Sequence, residues 1–276
     1  MSQSPVTTDR STSHVDRSAW TQVLLNKVPQ VTALFWVVKI LSTTVGETAA
    51  DFLNANVGLG LSATSALMAL LLAAALIVQL SAKRYVPAIY WLVVVLVSVV
   101  GTLFSDNLVD NFGVSLWTTS AIFGAGLLAS FVAWYRSEKT LSIHTVVTRR
   151  REAYYWLTIL FTFALGTSAG DLVAEKLAVG YLPSALIFGS VIVAITAAFY
   201  VLKANAVLAF WAAYIITRPF GASMGDFLTA PTKNGGLGLG TNGTSALFLA
   251  IIIGCVTWFT IKVKRDDKQL AESSAA

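Results

Sequence analysis

Aspartate recurs four times at one place in a repeated pattern, and ion chemistry would reside there. Trp, nine residues, Gly, four residues and Asp follow one another as Trp36, Gly46, Asp51, then Trp91, Gly101, Asp106, then Trp156, Gly166, Asp171, and last Trp211, Gly221, Asp226. On a helix, such a Trp and Asp stand about 22 Å apart along the axis, with Asp at the C-terminal end. The macrodipole disfavours negative charge there, and a carboxylate in or near a bilayer usually faces an interior or an aqueous cavity. Gathered around one outward mouth, Asp51, Asp106, Asp171 and Asp226 would form a ring that concentrates cations and binds a hard ion such as Mg2+, Ca2+ or Mn2+. Asp110 and Glu175 fall on the same side and deepen that field. The competing reading has each Asp bonded to the loop amides of its own hairpin.

Three charges break the repeat. Glu47 stands where the other copies have Thr102, Thr167 and Ala222. It precedes Asp51 by one turn, on the same helix face. Lys39 stands against Val94, Ile159 and Tyr214, and Arg218 against Thr43, Ser98 and Phe163. Arg218 is followed by Pro219, which can kink a helix and free a carbonyl. Ionisable residues at this depth are functional candidates by default. Glu47 and Arg218 lie within about one turn in depth, so an ion pair between the first and seventh helices is expected. Such a pair could be purely structural, or a gate that breaks when Glu47 takes a proton or an ion; Lys39 would be a further charge partner or would snorkel to the surface. Ser42, Thr43, Thr44 and Thr48 set hard oxygens beside Glu47, unless they bond back to their own carbonyls. The candidate ion or metal ligands are therefore Glu47, Asp51, Asp106, Asp171 and Asp226, with Lys39 and Arg218 as charge partners. The repeated Trp residues read as interfacial anchors or packing residues, and Gly46, Gly101, Gly166 and Gly221 as points of close helix approach.

The elements that must position these residues follow from composition. The chain has 276 residues, 56% apolar and only 12% charged, with a mean hydropathy of +0.71. Ordinary soluble domains are about 25% charged, so a water-soluble globule, a disordered chain and a nucleic-acid binder are excluded. A bilayer core needs about 20 apolar residues per helix. Reading on that length gives eight spans, roughly 30–53, 61–81, 87–109, 115–136, 152–175, 182–202, 204–228 and 241–262. Strand alternation is absent, which argues against a β-barrel. The expectation is an all-α polytopic membrane protein: a polar tail over 1–27, an eight-helix domain over 28–262 and a short tail over 263–276.

Positive charge sets the orientation. Fifteen Lys and Arg residues, Lys27, Lys83, Arg84, Arg136, Arg149, Arg150, Arg151 and Lys203 among them, fall on the side of the termini. Only Lys176 and Lys233 fall on the other. Both termini are expected to be cytoplasmic, and the pI of about 9.4 is a topology signal directed at anionic lipid. The segment from Ser18 to Lys27 reads as part of a disordered tail, or as one that lies along the membrane surface.

Other chemistry is quickly scored. One cysteine, Cys255, excludes an intramolecular disulfide. His14 and His144 are far apart in polar stretches, and no P-loop, dinucleotide fingerprint or His-Glu-x-x-His is present. No cofactor and no enzymatic activity are expected. The expected partners are the lipid bilayer and a small ion or solute; nucleic acid is excluded, and no oligomer is specified.

The Trp-to-Trp steps are 55, 65 and 55 residues, as one two-helix hairpin duplicated and then duplicated again would give. The units run about 28–83, 84–140, 150–203 and 204–262, and their second helices start alike at Ser65-Ala66, Ser120-Ala121, Ser184-Ala185 and Ser245-Ala246. A two-helix unit returns the chain to its starting side, so the four are parallel, related by an axis along the membrane normal. The fourfold Trp–Gly–Asp pattern resembles that of a family of bacterial membrane-anchored proteins, uncharacterised, built from four tandem two-helix repeats. The resemblance covers about 28–262 and implies an integral protein of the bacterial inner membrane, with no substrate attached. From the residues, the leading expectation is a small-ion or solute transporter with a hard-cation site. A small-anion transporter using Lys39 and Arg218, or a non-transporting scaffold or sensor, is the alternative.

Overall fold

The computed structural model describes residues 26–55 and 60–275. Sequence readings that fall on 1–25 and 56–59 lie outside the described residues. The elements are α1 (Ala33–Ala55), α2 (Leu61–Ser81), α3 (Pro87–Asp106), α4 (Leu116–Glu138), α5 (Arg149–Asp171), α6 (Tyr181–Tyr200), α7 (Ala206–Thr229) and α8 (Thr241–Ala275), with no strand among the described residues. Local signals set the helix starts. Pro87 opens α3, where its missing N–H costs nothing. Ser115, Thr148 and Asn205 cap α4, α5 and α7 by accepting backbone N–H bonds.

Element bounds follow the eight expected segments, with two informative departures. A π-helical turn continues α3 over Asn107–Asn111 and another continues α5 over Leu172–Lys176. Asp106 and Asp171 stand at those two junctions, where wider turns carry the chain out of the helix. The last helix does not stop near 262; it runs to Ala275, and Asp267 on it pairs with Arg84 at 2.7 Å.

Six helical segments are long and apolar enough to cross a membrane: α2, α3, α4, α5, α6 and α8, with α3 and α5 counted through their π turns. The other two, α1 and α7, carry Lys39, Glu47, Asp51, Arg218 and Asp226. Their polar residues turn inward: Lys39, Ser42, Thr43, Thr44, Glu47, Thr48, Thr217 and Arg218 are all buried.

The odd helices form a closed ring, α1 on α3, α3 on α5, α5 on α7 and α7 back on α1. Buried residues make up 67% of the apolar stretch of α3 and 61% of that of α5, against 22% or less for α2, α4, α6 and α8, so the even helices form an outer layer. The two helices of one unit scarcely touch, in contrast to the expected compact hairpin. Each outer helix instead packs against the ring helix of the following unit: α2 on α3, α4 on α5, α6 on α7, and α8 on α1.

Candidate functional site

Near the end that carries the basic loops, the ring is filled by aromatic side chains. One residue before each repeated Trp lies another ring, Phe35, Tyr90, Tyr155 or Phe210. Each meets the Trp of the next unit: Phe35 with Trp91 at 5.6 Å, Tyr90 with Trp156 at 5.3 Å, Tyr155 with Trp211 at 6.1 Å and Phe210 with Trp36 at 5.7 Å between centroids. The belt therefore closes on itself, and the hydroxyls of Tyr90 and Tyr155 bond across it. Such pairs contribute about 0.5–1.5 kcal/mol each beyond buried area. The four Trp residues act chiefly in packing: Trp91, Trp156 and Trp211 are at most 4% exposed.

Farther along the ring the repeated glycines perform the same cyclic step. Gly46 abuts Ser98, Gly101 abuts Phe163, Gly166 abuts Arg218 and Gly221 abuts Thr43, so that a Cβ on any of them would overlap its neighbour. These four partners are the repeat-equivalent residues three before each Gly. Absence of a side chain lets backbones approach, as in small-residue membrane interfaces.

One turn beyond, the symmetry is broken at the centre. Arg218, fully buried, sends its guanidinium to all three other units. Its Nη2 donates to Glu47 Oε2 at 2.9 Å, to Thr167 Oγ1 at 2.7 Å and to Thr102 Oγ1, and Nη1 donates to the Thr43 carbonyl at 3.4 Å. Thr102 also donates to Glu47 Oε2 at 3.2 Å. Glu47, Thr102 and Thr167 are repeat-equivalents, and the fourth, Ala222, is small enough to leave its corner to the guanidinium reaching up from its own helix. The ion pair expected between α1 and α7 is thus present, and it is shared by α3 and α5. The Glu47 Oε1 atom is left without a protein partner among the described residues.

Lys39 does not join that pair. Its ammonium, on a side chain with no exposure, donates to the Tyr214 carbonyl at 3.0 Å and to the Thr217 hydroxyl. It lies 4.5 Å from the ring centroid of Tyr214 and 5.4 Å from that of Phe163, in cation–π range. The carbonyl it uses precedes by one residue that of Ile215, which Pro219 leaves without its helical donor. Snorkelling is excluded by this burial. The hydroxyls near Glu47 mostly bond back to their helix: Ser42 to Val38, Thr43 and Thr44 to Ile40, Thr48 to Val45. Thr44 also reaches Gly221 of α7.

The four repeated aspartates lie outside this lock, each half-buried. Each stands at or near the C-terminal end of its ring helix, four residues beyond Glu47, Thr102, Thr167 or Ala222, so the four share one end of the ring with Glu47. Asp110 and Glu175 lie in the π turns that follow Asp106 and Asp171. None of the four makes an ion pair among the described residues. They do not converge into a chelate: among the described residues no three His, Cys, Asp or Glu side chains are arranged to hold a metal ion. Chemically the arrangement is a carboxylate mouth above a single charge lock.

A second buried ion pair escaped the sequence reading. Lys27, counted there as part of a polar tail, donates to Glu152 Oε2 at 2.7 Å, with both side chains at most 5% exposed. Gln79 of α2 donates to Glu152 Oε1 at 2.8 Å, and Lys27 also reaches the Leu80 carbonyl. This staple ties the entry to α1 onto α2 and α5 at the basic end. The available signal was Glu152, which stands four residues before Trp156, where the other units have Thr32, Pro87 and Val207.

Ring, outer layer and central lock together define an all-helical protein of four tandem two-helix repeats. The chain belongs to the family of the Repeat of Unknown Function (DUF347), whose model matches it four times, over residues 34–85, 89–140, 154–205 and 209–264. No curated protein and no solved structure matches it.

Proposed function

We propose that the chain is a multi-pass protein of the bacterial cytoplasmic membrane, crossing it eight times with both termini inside, and that it moves a small hard cation rather than catalysing a reaction. The observation that carries this reading is the placement of the four repeated aspartates at one end of a ring of four helices, directly outside the Arg218–Glu47 lock. Such a mouth raises the local cation concentration. A proton or cation taken up by Glu47 competes with Arg218 for its carboxylate, which couples occupancy to opening. The absence of nucleotide motifs implies that ion gradients or the membrane potential drive movement. In this reading α1 and α7 cross the membrane despite their charges because Arg218 and Glu47 pair inside the ring, Lys39 is bonded within it, and Asp51 and Asp226 stand near the helix ends.

One observation favours a small-anion reading: Lys39 is a buried lysine with no carboxylate partner among the described residues. Proteoliposomes loaded with a Mn2+-sensitive dye separate the two. Flux that falls roughly tenfold or more when Asp51, Asp106, Asp171 and Asp226 are changed to Asn, and that is altered by Glu47→Gln, supports the cation reading. Absence of cation flux, with an anion flux lost in Lys39→Met, overturns it.

A further inference from the structure

Among the described residues, three of the four repeated tryptophans are covered on their outer side, and one is not. Trp91 stacks on Phe259 of α8 with centroids 6.2 Å apart and planes 12° apart. Trp211 is boxed by Phe131 and Trp134 of α4 at 5.0 and 5.7 Å. Trp156 is 4% exposed. Trp36 instead borders a cavity of about 620 Å³ between α1, α6, α7 and the loop Leu141–His144. Fourteen residues beyond the Ser of each Ser-Ala start, α4 carries Trp134, α8 carries Phe259 and α2 carries Gln79, whereas α6 carries Ala198. At this position the outer helix beside Trp36 carries the smallest side chain of the four, and its Phe199 and Tyr200 line the cavity instead.

The cavity has an apolar wall of Trp36, Ile40, Ile195, Phe199 and Phe210, and Thr32 and His144 also line it. A second groove of about 370 Å³, lined by Ala185, Gly189, Val193 and Phe220, shares Ile40 and Ile192 with it. Together they follow α6 from Tyr200 to Ala185, about 22 Å of helix. A long, apolar groove between α1, α6 and α7 matches an extended hydrocarbon chain better than a compact solute. Its wide end lies where Lys139, Arg149, Arg150 and Lys203 are exposed, which suits an anionic headgroup.

We propose that this groove seats one acyl chain of an anionic phospholipid, headgroup toward the basic loops, beside the one repeated Trp that the described residues leave uncovered. The proposal rests on the membrane-spanning reading above. The test uses the full chain, purified in detergent, delipidated and titrated with phosphatidylglycerol brominated on its acyl chains. Quenching of Trp36 is the difference between the wild type and Trp36→Phe. The expected result is saturable quenching of Trp36 at one lipid per chain, abolished by Ala209→Trp, which fills the cavity. Ala213→Phe, at another residue of the cavity lining, is the second filling variant should the first fail to fold. Quenching that rises without saturation and ignores both fillers is bulk lipid and overturns the proposal. So does quenching that appears only after residues 1–25 are removed, since that segment would then be the occupant. A protein that stays dispersed without detergent overturns the membrane reading itself, whereas a detergent-dependent protein with Trp36 unquenched overturns only the lipid seat.

Discussion

At the scale of single residues, Arg218 decides the most. A buried guanidinium is tolerated because one carboxylate and two hydroxyls, from three different helices, meet it within hydrogen-bond reach. Removing one partner of a buried pair costs about 3–5 kcal/mol, because the other charge stays buried and unpaired, while replacing both with apolar groups is often neutral. Glu47→Ala is therefore expected to lower the thermal midpoint of the detergent-solubilised protein sharply, and Arg218→Met in that background to restore most of the loss. A double variant no better than Glu47→Ala alone would show that the pair is not what holds the ring centre. The Glu47–Arg218 pairing was legible in the sequence, because the repeat made both residues exceptions at matching depth. Lys39 was legible as an exception but not in its partners, a backbone carbonyl and aromatic faces, which carry no charge signature. Lys27 was misread because a lysine just before the first span looks like any basic flank until Glu152 is placed against it.

At the scale of helices, periodicity and spacing gave eight segments and their near-boundaries, since apolar length and Pro or Ser starts are local properties. Neighbours are not local. Nothing in the stretch from Leu61 to Ser81 says that it packs on α3 rather than on α1. The contact between α8 and α1 is the sharpest case, since it joins the last unit to the first; Ser245 donates to Thr48 there at 2.6 Å. With Cys255→Ser as background, Thr48→Cys and Ser245→Cys should form a disulfide, given that such bridges need Cβ atoms about 3.5–4.5 Å apart. After cleavage at a protease site inserted between Thr140 and Thr148, the halves should migrate together on a denaturing gel and separate only on reduction. Halves that separate without reductant would contradict closure of the ring.

For the molecule as a whole, closure means that the order in which the units are read is arbitrary. A permuted chain opened at the turn around Lys203, with its original ends joined by a flexible linker, keeps every contact of the ring and of the outer layer. It should insert in membranes and melt within a few degrees of the parent in a tryptophan-fluorescence scan, because exposed turns tolerate new termini. Aggregation of the permutant, with the parent stable, would mean that the first and last units are not equivalent members of the circle. The carboxylate mouth belongs to this scale too. Each Asp is ordinary on its own helix, and only the fourfold arrangement brings the four to one end of the ring.

The offset by which each outer helix shelters the following unit has an ancestral consequence. A lone unit would leave its ring helix bare and its outer helix with nothing to hold, so separate identical units could close this fold only as four chains, each passing an arm to the next. Such an assembly must be identical at all four corners, and four guanidiniums on its axis would repel one another. A single arginine facing Glu47, Thr102 and Thr167 is available only once the copies are fused and free to diverge. Fusion, on this view, is what made an uneven centre possible.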